Sequence, residues 1–153
     1  MLGNTYEGQN CSIARSLEFV GERWSLLIIR DATFGGVTRF ADFQRHLGIA
    51  RNVLSARLNH FVEQGLMERR PAGQSKYEEY ILTDKGRDLR PILVALVNWG
   101  DRWAAPDGPP NTFQHSSCGG ELEARVICAR CGEQVLGEAI DAHRGRAAQP
   151  ASA

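Results

Sequence analysis

The stretch Thr38–Arg70, TRFADFQRHLGIARNVLSARLNHFVEQGLMERR, decides how this chain folds. Phe40, Phe43 and Leu47 recur at helical spacing, so one apolar face runs along a helix ending at Leu47, with Thr38 as its expected N-cap. Gly48 then supplies a short turn. A second helix, expected from Ala50 to Gln64, buries Val53, Leu54, Leu58, Phe61 and Val62 and turns Arg51, Asn52, Ser55, Ala56, Asn59 and His60 outward. Gly65 stops it. Helices joined by so short a turn cross steeply, which leaves the second one standing proud of the body. Its outward N-terminal half carries small and amide side chains suited to base edges in the major groove of duplex DNA. Asn52 can pair with adenine through two hydrogen bonds, and Arg51 can reach guanine or a phosphate.

Downstream, Leu66–Arg70 and Glu78–Leu82 read as two strands, and Pro71–Tyr77, with Gly73, forms the wing between them. Arg70 and Lys76 flank that wing and are expected on backbone phosphates, which position a protein without reading sequence. Arg57, at mid-helix, suits a phosphate contact or an internal salt bridge better than base reading. Upstream, Cys11–Phe34 reads as two helices: Ile13, Ala14, Leu17 and Val20 form one apolar stripe, and Trp24, Leu27, Ile28 and Phe34 continue it beyond Gly21. Thr83 is placed to cap a long final helix through Trp103, carrying Leu89, Ile92, Leu93, Leu96, Val97 and Trp99. Pro91 either kinks that helix or separates a first turn from a new helix.

The charge distribution agrees with this layout. The whole chain of 153 residues has a formal net charge of 0. From Arg39 to Lys76, however, seven Arg or Lys stand against three acids, a local net of +4, whereas the region from Ala104 onward has four basic and six acidic residues, a net of −2. No apolar run reaches the ~20 residues of a membrane span. The start, MLGNTYEGQN, lacks the basic and apolar segments of a signal peptide. The expectation is a cytoplasmic protein with reduced cysteines and no membrane partner.

After a Pro/Gly-rich linker, AAPDGPPN, a compact Cys/Gly-rich unit follows. His115-Ser-Ser-Cys118-Gly and Cys128-Ala-Arg-Cys131-Gly repeat one pattern: two candidate ligands, two residues apart, then glycine. Four such ligands suit one tetrahedral structural Zn²⁺ per chain, with no open coordination position for catalysis. Leu122, Val126, Ile127, Val135 and Leu136 provide only a minute core, so metal would supply what burial cannot. A metal-free ribbon whose cysteines oxidise is the competing reading. Cys11 stands apart. It opens the first helix, where backbone N–H groups and the nearby Arg15 lower a thiol pKa, and it reads either as a sensor or as a partly buried structural residue.

Taken together, several segments resemble the HxlR-type family of bacterial winged-helix transcriptional regulators. They are Cys11-Ser-Ile-Ala-Arg, Gly21-Glu-Arg-Trp24-Ser-Leu-Leu-Ile-Ile-Arg30, Phe40-x-x-Phe43, Leu47-Gly-Ile49, Val53-Leu-Ser-x-Arg57-Leu58, Gly65-Leu66 and Tyr80-x-Leu82-Thr83-x-x-Gly86. The resemblance covers Cys11 to about Gly100. It implies a homodimer closed by the outer helices, with reader helices and wings set along operator DNA. It also implies that Arg51, Asn52, Ser55 and Arg57 lie in or near the reader helix. Some relatives sense oxidants or electrophiles through a Cys matching Cys11. Ala50 departs from the family, standing where relatives often have a capping Ser, and the wing lacks their Pro-rich approach.

The expected fold is therefore α+β, mainly α: a winged helix-turn-helix with flanking dimerisation helices and a small zinc-ribbon-like unit. Its divisions are residues 11–103 for DNA binding and dimerisation, 104–114 for the linker, 115–140 for the Cys3His unit and 141–153 for a disordered tail. Expected DNA contacts are Arg51, Asn52, Ser55 and Arg57, with Thr38, Arg39, Arg70 and Lys76 around them. Expected dimer contacts are Trp24, Leu89, Leu96, Trp99 and Trp103, more apolar surface than one small winged helix covers; the competing reading places the Trp residues, Trp24 above all, in the core of the single chain. Expected partners are double-stranded DNA, a second copy of the chain and a small-molecule or oxidant effector. No catalytic constellation assembles, so an enzyme is not expected. The alternative function is a protein-interaction module that docks through the winged helix and the ribbon.

Overall fold

The computed structural model describes residue 6 and residues 8–73 and 77–143. It is mainly helical with one small hairpin. The helices α1 (Ser12–Val20), α2 (Ser25–Phe34), α3 (Phe40–Leu47) and α4 (Arg51–Glu63) lead into strands β1 (Met67–Pro71) and β2 (Glu78–Leu82). A single helical turn, α5 (Asp84–Arg87), and a longer helix, α6 (Arg90–Trp103), follow. The strands pair antiparallel, with Met67 opposite Leu82 and Arg69 opposite Tyr80.

The core forms where these elements converge. Ile28 and Ile29 of α2, Phe43 of α3 and Leu54, Leu58 and Phe61 of α4 are fully buried, joined by Ile49, Leu66, Met67, Tyr80, Leu82 and Leu93. The expected face of α4 is thus the observed one, with Val53 and Val62 at its partly buried margins. Gly48 ends α3 in the left-handed conformation (φ 61°), the sharp turn that delivers the chain to α4. Ala50 occupies the N-cap of α4 and provides no side-chain cap.

Thr38 has a different role from the one its sequence context suggests. The N-cap of α3 is Arg39, and no side chain caps it. Thr38 instead faces β2: its hydroxyl donates to Glu79 Oε1 at 3.0 Å, and its carbonyl accepts from the Tyr80 amide at 2.8 Å. With the Arg39–Glu79 bridge, these contacts lay the approach to α3 along the free edge of β2. A backbone partner across the sheet displaced the local cap.

Of the two options at Pro91, a break and a new helix is the one observed. Thr83 caps α5, its hydroxyl accepting from the Gly86 amide at 3.2 Å, and Pro91 lies in the first turn of α6, where its missing N–H costs nothing. The chain divides into compact units between Leu93 and Val94, inside α6, rather than at the linker 104–111. The second unit contains the rest of α6, two tight turns closed by the Gln114–Glu121 and Ile127–Gln134 bridges, and a 3-10 turn at Gly137–Ala139. None of its described residues is buried. Of the tail expected to be disordered, residues 144–153 lie outside the described residues.

Candidate nucleic-acid interface

α4 and the hairpin enclose an open concavity of 720 Å³, bordered by Arg39, Phe40, Arg51, Ser55, Asn59, Arg69, Tyr77 and Tyr80 among others. Arg51 and Asn52, in the first turn of α4, are exposed, and Ser55 follows one turn later at the concavity wall. Three guanidinium groups therefore border the same hollow. Two of them lie on aromatic rings: Arg51 over Phe40, with 5.2 Å to the ring centroid, and Arg69 over Tyr80 at 5.6 Å. Arg69 also donates to the Asn59 side-chain oxygen, tying β1 to the outer face of α4.

Other charges are partly neutralised. Arg39 Nε lies 3.8 Å from Glu79 Oε1, and Arg70 pairs with Glu68 on its own strand. Both arginine side chains stay more than half exposed, so these pairs are weak and exchangeable. Arg57 differs. Its side chain is 19% exposed and its Nη1 lies 3.9 Å from Glu22 Oε1, in the turn between α1 and α2. Of the two roles open to it, the salt bridge within the body is the one formed. Lys76 lies outside the described residues. Sequence reasoning did not single out Arg69, Phe40, Tyr77 and Tyr80 for this surface. The strand MERRP has no alternation that would mark Arg69, since Arg69, Arg70 and Pro71 are all exposed.

The residues expected at a dimer contact fall into two groups. Trp24 and Leu89 are partly buried against the core of their own unit. Leu96, Trp99 and Trp103 are 46%, 62% and 66% exposed, and with Ile92 they repeat every four, three and four residues along α6. That spacing makes one continuous apolar stripe on a helix face. On α1, Ile13 and Leu17 are exposed as well, whereas Ala14 and Val20 are buried.

Cys11 is exposed and is the N-cap of α1. No hydrogen bond from the helix start reaches its sulfur, but the nearby Ala14 and then Ile13 backbone amides hold the thiol below its ordinary range. In the second unit, His115 Nδ1 lies 3.3 Å from Cys118 Sγ. The thiol of Cys128 is likewise held low, by the backbone amides of Cys131 and Arg130 and then by the Cys131 side chain. Among the described residues, no three His, Cys, Asp or Glu side chains gather around a single point.

Among the described residues, no helix is long and apolar enough to cross a membrane. Residues 19–108 match the model of the HxlR-like helix-turn-helix family. An HTH-type transcriptional regulator of Mycobacterium tuberculosis is 44% identical over 146 residues, 94% of this chain and 90% of that protein. The crystal structure of the transcription factor PA1607 superposes with a TM-score of 0.82 at 40% identity, covering 90% of this chain and 97% of that one. The redox regulator HypR, in its reduced form, superposes at 0.54 with 26% identity over 60% of this chain and 92% of its own. Similarity to the first two thus extends through the second unit, while similarity to the third is confined to a smaller part.

Proposed function

The chain belongs to the HxlR-like helix-turn-helix family, whose members are transcriptional regulators and not enzymes, and we propose that this DNA-binding regulator reads an inverted-repeat operator as a homodimer. The observation that carries this reading is the outward first turn of α4, with Arg51 and Asn52 exposed beside a hollow bordered by Arg39 and Arg69. In it Asn52 and Arg51 read base edges, Ser55 makes a closer contact deeper in the groove, and Arg39, Arg69, Arg70 and Lys76 hold phosphates. Arg57 takes no part, because Glu22 already engages it.

The second copy packs against the stripe Ile92, Leu96, Trp99 and Trp103, apolar surface too extensive for an isolated monomer to leave in water. A twofold dimer separates its reader helices by about 34 Å, one turn of DNA. Selection of bound duplexes from a random pool tests the reading. The expected product is an inverted repeat with half-sites about 10 base pairs apart. Failure to enrich any sequence would leave the protein-interaction module as the better account.

Control by an oxidant or electrophile fits Cys11, exposed and with a depressed thiol pKa, and the similarity to a redox regulator favours it. In this reading, modification of Cys11 changes α1 and hence the affinity of the dimer for its operator. Peroxide or quinone treatment of wild type and Cys11→Ser, followed by operator titration, tests it. An equal response in both proteins would rule Cys11 out.

A further inference from the structure

Beyond DNA binding, the second unit contains one local structure built twice. The His115 amide donates to the Gly120 carbonyl at 2.8 Å, and thirteen residues later the Cys128 amide donates to Glu133 at 2.9 Å. Gly119 donates back to His115 at 2.8 Å, and Gly132 to Cys128 at 2.9 Å. Leu122 bonds to Phe113, and Val135 to Val126, each at 2.8 Å. Gly119 and Gly132 take the left-handed conformation at φ 71° and 75°. Five residues of one turn thus superimpose in hydrogen-bond pattern on five of the other, with His115 and Cys118 standing where Cys128 and Cys131 stand.

This repeat has no apolar reason to hold its shape. Val126, Ile127, Leu136 and Ile140 are each more than half exposed, and no described residue from Val94 onward is buried. A unit without a core needs a cross-link. The turns have the form that metal requires. In the second, the Cys128 amide and carbonyl close the turn onto Glu133 and Gly132, each at 2.9 Å, and so hold Cys128 and Cys131 at the positions equivalent to His115 and Cys118. In the first, His115 Nδ1 and Cys118 Sγ are 3.3 Å apart, close to the roughly 3.5 Å between nitrogen and sulfur ligands on one tetrahedral zinc.

We propose that His115, Cys118, Cys128 and Cys131 together bind one structural Zn²⁺, each turn supplying half of a closed tetrahedral site. Binding draws the two preformed halves together. Three thiols become thiolates, neutral imidazole donates a nitrogen lone pair, and the thiol protons pass to solvent with no change of oxidation state. Cys131, whose thiol now donates to Glu133 Oε2 at 3.8 Å, exchanges that weak contact for the metal. The benefit reaches α6, because the Asn98 side chain donates to the Leu122 carbonyl at 3.2 Å and accepts from the Ala124 amide at 2.7 Å. Those two bonds attach the connection between the turns to the helix that bears the apolar stripe.

The test uses the full-length chain, purified under reducing conditions and titrated with Zn²⁺ and with Co²⁺ as a spectroscopic probe. The expected result is one metal per chain, with the intense visible bands of tetrahedral Co²⁺ and sulfur-to-cobalt charge transfer. Cys118→Ser and Cys128→Ser should each weaken binding by more than about 100-fold, beyond what loss of an outer-sphere partner causes. His115→Cys should retain the metal with a stronger thiolate signature. Circular dichroism of each variant separates ligand loss from failure to fold. Weak octahedral Co²⁺ bands, binding undiminished in both serine variants, or a Cys128–Cys131 disulfide that persists under reduction would overturn the assignment.

Discussion

Gly86 lies against the backbone carbonyl of Leu66 so closely that a Cβ on Gly86 would come 2.2 Å from that oxygen. The same carbonyl accepts from the Thr83 amide at 3.1 Å, so the residue that caps α5 and the start of the hairpin share one junction. Adding a methyl group there must displace backbone, not a flexible side chain. Gly86→Ala should lower stability by about 1–3 kcal/mol, read as a lower thermal or denaturant midpoint. An unchanged midpoint would mean that the junction yields freely.

Base reading and phosphate contact separate by their salt dependence. Asn52→Ala should cost about 1–3 kcal/mol on the preferred operator while leaving binding to unrelated duplex nearly unchanged. Arg39→Ala should weaken both and reduce the salt slope by about 1. Fluorescence anisotropy across a salt series distinguishes them, and equal losses on both duplexes for Asn52→Ala would remove it from base reading.

Arg57→Ala belongs to stability instead. The pair with Glu22 is only partly buried, so its loss should cost no more than about 1 kcal/mol. The salt slope of DNA binding should match wild type. A slope reduced as far as that of Arg39→Ala would show that Arg57 leaves Glu22 for a phosphate.

The proposed dimer contact is tested on the exposed stripe of α6. Trp99→Glu together with Leu96→Glu places two charges in the middle of it and should convert dimer to monomer in sedimentation velocity at micromolar concentration. Helix content should be retained, since both positions are exposed within the chain. Persistence of the dimer would move the interface elsewhere.

Cys11 has a pH signature. Its thiol is held below the ordinary value by the Ala14 and Ile13 amides, so more thiolate is present at neutral pH than in an unstructured peptide. Alkylation should therefore stay fast as pH falls through the range where a model thiol has already lost reactivity, and slow only below the depressed value. Mass spectrometry of Cys11 after timed alkylation, compared with a peptide spanning residues 8–16, measures the difference. Matching profiles would mean that the helix start does not act on the thiol.

Much of this was legible in the chain itself, because the signals are local. Periodicity marked the buried face of α4, Gly48 marked its turn, and Pro91 marked either a kink or a new helix, of which the new helix α6 is the one observed. What stayed hidden depends on distant partners. Thr38 looks like a cap because it precedes an apolar run, yet its hydroxyl partner Glu79 is 41 residues away. Arg57 faces outward or inward according to where Glu22 sits, and no spacing rule supplies that. The hairpin contribution to the interface, Arg69 on Tyr80, needs strand register as well as strand existence. The matched pairs His115–Cys118 and Cys128–Cys131 were readable from spacing. The identity of their backbone turns was not, since it resides in bonds between main-chain atoms.

Arg51 on Phe40 and Arg69 on Tyr80 have a kinetic and thermodynamic corollary. A free arginine surrenders as much as about 2 kcal/mol of rotational freedom when a ligand fixes it. Here the rings restrain both side chains while the protein is still alone in solution, so part of that loss precedes the encounter with a duplex. Substituting leucine for Phe40, which is only partly buried, would leave the charge count intact and still weaken association, through a looser Arg51 and not through fewer arginines.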